Sequence, residues 1–318
     1  MTSAPEGIQA THTTHATLIH YIEVWNVQPD GQSMQLASCC RLRGSLVDSE
    51  SPERSVRNGE GLAGMAWNQR HAIILQEAPS DLLDQIGAKN GMELAALIAY
   101  PVMKGQSVLS VIVFGVSSGP GAFEVWSRDD RDELSISASY YSGLKSFEFI
   151  SRYVKFPKGA GLPGTVWKTG QPRLASDLPR SAGFMRSFAA DETELNIGLG
   201  LPVGSAAGHS DSILLLLSSN SKPVAVGFEI WQPQASATAD SPHLTQSAAD
   251  WNVIADRFIP RTDALVAETW VSGRPVFRIS RTGASGVDAP DASEPVRALL
   301  AIPVYRGVEK VAIVLFGF

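Results

Sequence analysis

The sequence predicts an α+β protein in which one unit of about a hundred residues is written three times, and three recurring markers predict it. Tyr21-Ile22-Glu23-Val24-Trp25 returns as Ala122-Phe123-Glu124-Val125-Trp126 and again as Gly227-Phe228-Glu229-Ile230-Trp231. A second tryptophan keeps the same beat at Trp67, Trp167 and Trp270, and Pro101-Val102, Pro202-Val203 and Pro303-Val304 supply a third. The period is too long for a solenoid, whose repeats run about 20–50 residues. Each copy is therefore expected to be a small domain in its own right. The expected extents are a flexible tail over 1–16 and repeats over 17–118, 119–222 and 223–318.

The elements of the first unit follow from local chemistry. Thr17 to Val27 is β-branched and aromatic, Pro29-Asp30-Gly31 makes a turn, and Met34 to Cys40 returns as the second strand of a hairpin. A polar segment leads to Gly59-Glu60-Gly61-Leu62-Ala63-Gly64, where glycines mark a tight loop and the apolar residues after them start a short helix. Ala72 to Leu75 reads as a strand. Leu94 to Val102 and Val108 to Val116 read as two long buried strands joined at Lys104-Gly105-Gln106, since both are short apolar runs bounded by turn residues.

The second unit repeats this plan with strands at Ala122 to Ser127 and Glu133 to Tyr141, a helical stretch near Leu144 to Val154, and closing strands at Ile197 to Val203 and Ile213 to Ser218. The third is looser. Residues 232–247 form a Ser/Ala/Thr/Pro-rich insertion, and the glycine loop has become Arg261-Thr262-Asp263-Ala264-Leu265-Val266-Ala267, without a glycine.

Composition excludes several classes. With 44% hydrophobic residues and 18% charged, the chain can bury ordinary cores. No apolar run reaches the 18 or so residues a membrane span needs, and residues 1–16 lack a signal peptide's basic and apolar regions, so a cytoplasmic protein is expected, without a membrane. A net charge of -6 without a Lys/Arg cluster argues against direct nucleic-acid binding. Cys39 and Cys40 are adjacent, which excludes a disulfide framework and leaves two reduced thiols.

Gly159 to Leu178, reading GAGLPGTVWKTGQPRLASDL, resembles the central signature of a GAF domain: a glycine-rich turn, a short helix ending in Val-Trp, a Gly-x-Pro turn and a strand running to Asp177. Leu199-Gly200-Leu201-Pro202-Val203 is similar to that family's strand ending in "lPv". The first unit resembles it through GEGLAGMAW and Ile98 to Val102, the third through Thr269-Trp270, Gly273-Arg274-Pro275-Val276 and Leu300 to Val304. The resemblance implies three tandem GAF-like domains, each an antiparallel sheet of five or six strands with short helices on one face enclosing a small-molecule pocket. It also implies helices before the first strand and after the last, covering the opposite sheet face, and this sequence has no room for them: Val116 passes through Ser117-Ser118-Gly119-Pro120-Gly121 straight into the next first strand. These strands are apolar on both sides, so the uncovered faces are expected to pack on one another or on a second chain.

On each first strand Glu and Trp share one face, because side chains alternate along a strand. The pairs Glu23/Trp25, Glu124/Trp126 and Glu229/Trp231 could hold a cationic ligand by carboxylate and cation-π contacts. The structural alternative puts Trp in the core and Glu in hydrogen bonds from neighbouring backbone, and its occurrence in all three copies favours it. The resemblance places Trp167 near the pocket wall and Asp177, Phe184 and Arg186 in the pocket-lining segment. The candidate ligand-binding residues are therefore Glu124, Trp126, Trp167, Asp177, Phe184 and Arg186, with core packing the competing role for Trp167 and a turn or cap for Asp177.

GAGLPG lacks the Lys-Ser/Thr of a phosphate-binding loop, and Pro163 removes an amide donor. His12 and His15 lie in the tail, and no Ser-His-Asp or metal-ligand grouping repeats between units, so neither catalytic nor metal residues are assigned. The expectation is a non-catalytic sensory or regulatory protein that binds a small molecule in a GAF-type pocket, in the second unit, and signals through domain or subunit packing. The partners expected are that ligand and either a second copy or a signalling protein; the cofactor is unknown. The competing expectation is an interaction scaffold whose pockets are filled by side chains, with small lining residues pointing to the first reading and bulky aromatics to the second.

Overall fold

Strand pairing repeats the period of the sequence. The computed structural model describes residues 17–42, 54–77, 94–204, 212–234, 244–251, 262–280 and 297–318; the expected tail over 1–16 lies outside them. The first sheet contains β1 (Ile19–Val27), β2 (Ser33–Arg41), β3 (Ser55–Arg57), β4 (Ile73–Gln76), β5 (Ala96–Lys104) and β6 (Ser107–Val116), in the order β3-β2-β1-β6-β5-β4. The second contains β7 (Gly121–Arg128), β8 (Glu133–Tyr141), β9 (Phe156–Pro157), β10 (Arg173–Ala175), β11 (Ile197–Val203) and β12 (Ser212–Ser218), in the same order. The third contains β13 (Gly227–Pro233), β14 (Leu244–Trp251), β15 (Val276–Ser280), β16 (Arg297–Arg306) and β17 (Glu309–Gly317), ordered β14-β13-β17-β16-β15. All the described pairings are antiparallel.

The helices are short: α1 (Gly61–Gln69), α2 (Lys145–Ser151), α3 (Gly161–Thr169), α4 (Ser187–Glu192) and α5 (Thr262–Ser272). The glycine loops are closely packed turns. A Cβ on Gly64 would lie 2.3 Å from the Arg57 carbonyl oxygen, and one on Gly164 2.4 Å from that of Pro157. In both loops a backbone bond closes the turn: Gly59 donates to the Gly64 carbonyl and Gly159 to the Gly164 carbonyl, each at 2.8 Å.

Two features of the third unit depart from expectation. The segment read as a degenerate loop is helical from Thr262, because Ala264-Leu265-Val266-Ala267 contains no residue that needs a positive φ and favours continuous helix. The end of the expected insertion, from Leu244, belongs to β14, where Leu244 pairs with Pro233 and Thr245 with Gln232.

A third repeated feature was invisible in the sequence. In each unit the ladder between the first two strands slips by one residue just before the tryptophan, between Val24 and Trp25, Val125 and Trp126, and Ile230 and Trp231. The extra residues on the partner strands are Ala37, Ser137 and Ser247, and the last two donate hydroxyls back to the carbonyls of Val125 and Ile230, both at 3.1 Å. Such a bulge bends the strand and re-aims the side chains beside it.

The doubly apolar strands are explained by two kinds of core. On β12, Ile213, Leu215 and Leu217 face the helices of the second unit, while Leu214 and Leu216 face the other way. On β6, Val111 and Val113 join the first unit's core and Ile112, Phe114 and Val116 the opposite side; on β17, Ile313 and Leu315 divide from Ala312, Val314 and Phe316 in the same manner. The opposite sides of all three sheets meet in one shared cluster, where Phe316 packs on Phe228 at 5.2 Å and on Phe114 at 5.9 Å between ring centroids. The expectation that the uncovered faces pack on one another is met within the chain.

Polar contacts of one hand close the three units into a ring. From the first to the second, His71 Nε2 lies 2.9 Å from Ser127 Oγ, Gln76 donates to the Ser139 carbonyl at 2.6 Å, and the buried Tyr100 hydroxyl to the Pro202 carbonyl at 2.9 Å. From the second to the third, Ser176 Oγ donates to Asp250 at 2.5 Å. From the third back to the first, the Arg274 guanidinium reaches the Val27 carbonyl at 3.1 Å, past the C-terminus of α5. Apart from Tyr100 on β5, these links leave the segment after α1, α3 or α5 and land on the next unit, which is the geometry of a closed heterologous ring built within one chain.

Candidate functional site

The site of the second unit is organised by β7. Alternation sends Glu124 and Trp126 to the helical side, where both are fully buried. A buried carboxylate requires charge compensation and hydrogen bonds. Here both come from side chains rather than from the expected backbone donors. Trp126 Nε1–H donates to Glu124 Oε2 at 2.8 Å, Tyr141 Oη–H to Oε1 at 2.7 Å, and Arg186 donates from Nη1 to Oε1 at 2.5 Å and from Nη2 to Oε2 at 2.8 Å. Four donors match the four acceptor positions of a carboxylate, and the arginine contact is a two-pronged fork.

Arg186 caps the start of α4 and points inward. Its side chain and that of Glu124 have no solvent exposure. Nη1 also donates to Ser151 Oγ at 2.5 Å, and Ser151 is buried at the end of α2. The guanidinium carbon lies 4.5 Å from the ring centre of Phe147, 5.3 Å from Trp126, 5.3 Å from Phe184 and 5.8 Å from Phe156, an aromatic box favourable to a cation. Arg186 Nε has no hydrogen-bond partner in that box. Burial, and then the Glu124 charge, raise the Tyr141 phenol above its ordinary value, so it stays a donor to the carboxylate.

Of the six expected ligand residues, the structure brings Glu124, Trp126, Phe184 and Arg186 together. Trp167 is buried in the same apolar cluster but lies under Lys158, whose Nζ is 5.4 Å from its ring centre, and not against the guanidinium. Asp177 lies outside that cluster. It follows β10 in the left-handed region at φ 53°, its side chain is 49% exposed, and it accepts from Arg180 at 3.3 Å, so it is a surface turn residue. Beside Glu124, Arg186 stands among Phe147, Phe156, Phe184 and Trp126. An open concavity of about 370 Å³ lies elsewhere, against Pro179, Asp191, Glu194 and Ser219, and none of the six expected residues lines it.

Sequence reasoning missed Tyr141, Ser151, Phe147 and Phe156. A signal for Tyr141 did exist. Tyr141 sits directly opposite Ala122, two residues before Glu124, and Tyr21 occupies the place of Ala122 in the first unit. The hydroxyl is retained while its source strand changes.

The first unit builds the same charge pair from different parts. Trp25 Nε1–H donates to Glu23 Oε2 at 2.8 Å, and the Tyr21 hydroxyl donates to Glu23 Oε1. The cation is Arg54, just before β3, whose Nη1 donates to Glu23 Oε1 at 2.7 Å and whose guanidinium carbon stands 5.1 Å from the Trp25 ring centre. Burial works against the charged Arg54, and the Glu23 carboxylate more than offsets it. Burial raises the Tyr21 phenol and the Cys39 and Cys40 thiols, Cys40 to about 12. In the third unit Trp231 Nε1–H donates to Glu229 at 2.7 Å.

No model of a protein family matches the sequence, and neither does any curated protein. Among solved structures the chain is similar to the nlh2 GAF domain of A. aeolicus in an inactive state, at 18% identity over 31% of this chain and 57% of that one, TM-score 0.26. It is similar to NreA of Staphylococcus aureus mutated in its nitrate-binding site, at 20% identity over 33% of this chain and 78% of that one, TM-score 0.27. It is also similar to free methionine-R-sulfoxide reductase from Neisseria meningitidis in complex with its substrate, at 17% identity over 32% and 53%, TM-score 0.24. Each match spans about one unit here, and the first and third cover little more than half of the protein matched. The described fold is α+β: three antiparallel sheets of six, six and five described strands, each with short helices on one face. Among the described residues no helix is long and apolar enough to cross a membrane.

Proposed function

We propose that this chain is a non-catalytic regulatory scaffold: a ring of GAF-like units whose second site is occupied by the chain's own arginine. The observation that supports it is Arg186, fully buried, forked onto Glu124 and boxed by Phe147, Phe156, Phe184 and Trp126. The carboxylate–indole pair is a cation receptor, and its cation is covalently attached. A soluble ligand would have to displace it, stranding a buried charge at a cost of about 3–5 kcal/mol. Signalling by rearrangement of the units draws little support from the shared core, since each phenylalanine drawn out of it costs about 1.5–3 kcal/mol. The surface of the ring, rather than a pocket, is then what partners meet.

A sensory role finds support in the first unit. Arg54 holds Glu23 through one hydrogen bond, beside a three-residue edge strand, with its side chain 23% exposed. A guanidinium or ammonium ligand competes with it at lower cost than with Arg186. Native mass spectrometry of freshly purified protein separates the two readings. The scaffold predicts a bare chain mass, and an Arg186→Gly variant whose thermal midpoint is raised by added ethylguanidinium while the wild type does not respond. A small molecule released from the wild type on denaturation overturns it.

A further inference from the structure

The helical side of the second unit has an outer surface that the site does not use. α2 turns Phe147 and Ser151 inward, and α4 does the same with Ala189 and Ala190. Outward, where a solvated face would carry charged side chains, stand Phe149 at 63% exposure, Tyr153 at 75%, Met185 at 56% and Phe188 at 74%. Phe149 and Tyr153, one helical turn apart, pack ring to ring at 5.1 Å. α2 and α4 pack on each other, so both pairs belong to one side of the unit. Aromatic side chains present roughly 150–250 Å² each, which puts the patch near 400–500 Å², the size of the largest, often functional, patch on a typical monomer's surface. That is about half of the ~800 Å² each partner contributes to a standard interface, the remainder falling to the rim.

The rim identifies the partner. Along α2 and just beyond it run Lys145, Arg152 and Lys155 against one acid, Glu148; along α4 and just beyond it run Asp191, Glu192 and Glu194 with no base. Arg152 pairs with Glu148 and Lys155 with Asp129, which leaves Lys145 as the basic residue of that edge not engaged in an ion pair. An apolar centre with a basic edge on one side and an acidic edge on the other is complementary to itself. We infer that this face is a homodimer surface, in which a two-fold axis running between α2 and α4 lays α2 of each copy on α4 of the other. Phe149, Tyr153, Met185 and Phe188 then form the dry centre, and Lys145 and Arg152 face Asp191 and Glu192 across it, an isologous arrangement. The inference does not depend on whether the Arg186 site is closed, since the docking residues point away from it.

Sedimentation or light scattering over a range of concentrations tests it. The expected result is twice the chain mass, shifting to one chain mass in Phe149→Ser/Phe188→Ser, with unchanged circular dichroism and a thermal midpoint that no longer depends on concentration. Lys145→Glu/Arg152→Glu and Asp191→Lys/Glu192→Lys each weaken self-association by about tenfold, and combining all four changes in one chain restores it. Three results overturn the inference: a wild-type monomer at every concentration, a dimer indifferent to Phe149→Ser/Phe188→Ser, or a monomer whose patch is covered instead by a copurifying protein or lipid.

Discussion

The first and second units solve one electrostatic problem in two ways. Both bury a glutamate on the first strand, both satisfy it with the indole two residues on and with a tyrosine hydroxyl, and both neutralise it with an arginine. In the second unit the arginine arrives from the start of α4, forks onto both carboxylate oxygens and is surrounded by aromatic rings. In the first it reaches in from beside an edge strand, touches one oxygen and keeps part of its side chain in water. The requirement for a cation is set by the buried carboxylate. Its source is not, because any chain segment that passes the mouth of the site can supply one.

The most severe test of this comparison is Glu124→Ala, which leaves Arg186 as a buried unpaired charge. It is expected to cost about 3–5 kcal/mol in urea unfolding, whereas Glu124→Leu/Arg186→Met, which removes both charges, recovers most of that loss. A cost of Glu124→Ala below about 1 kcal/mol would show that the cage admits water. Tyr141→Phe comes next: it leaves one carboxylate oxygen short of a buried donor and is expected to lose about 1–3 kcal/mol. Arg54→Ala should cost less than Glu124→Ala, toward the low end of about 1–3 kcal/mol, because the buried Glu23 carboxylate keeps its Trp25 and Tyr21 donors and the lost cation is partly exposed. That loss should shrink in 1 M salt while the effect of Glu124→Ala does not, and equal salt sensitivity would erase the distinction between the sites.

The smallest expected effects are titrations at opposite ends of the pH scale. Burial raises the Cys40 thiol to about 12, so its contribution is complete below the ordinary thiol value near 9 and is lost as pH rises from there toward 12. Thiol labelling at pH 8 should accordingly be far slower in the native protein than in urea. In the second unit the Lys155 ammonium is the main influence that lowers the Asp129 carboxyl to about 2; its contribution is present above the ordinary carboxylate range and fades as pH falls toward 2. Asp129→Asn should flatten that acid limb of a stability–pH curve, and an unchanged limb would locate the acid sensitivity elsewhere.

How much could be read beforehand differs from residue to residue. The Glu-x-Trp beat identified the repeated strand, and its alternation put both side chains on one face, because a strand's period of two survives any tertiary context. Phe184 and Arg186 were named as residues facing a ligand, yet the guanidinium faces Glu124. That reversal depends on which way one side chain turns at the start of α4, and no pattern in the sequence encodes it. Tyr141, Ser151 and Phe147 reach Glu124 from other elements, and their meeting depends on register and on the packing of a seven-residue helix. Asp177 stands apart from the cluster for a local reason: its left-handed backbone conformation turns the chain out of the strand.

By itself the sequence determined the triplication, most of the strand and turn order of the first two units, the absence of covering helices between units and the apolarity of both sheet faces. Those are properties of spacing and side-chain chemistry, which are local. Only the tertiary structure decided that the spare faces meet in one core, that the units close into a ring and that two of the carboxylate sites hold arginines of the chain itself. Each of these is a choice among partners of equal chemistry. It is made by shape and by the cost of leaving a charge or an apolar face uncovered, which exists only once the whole chain is folded.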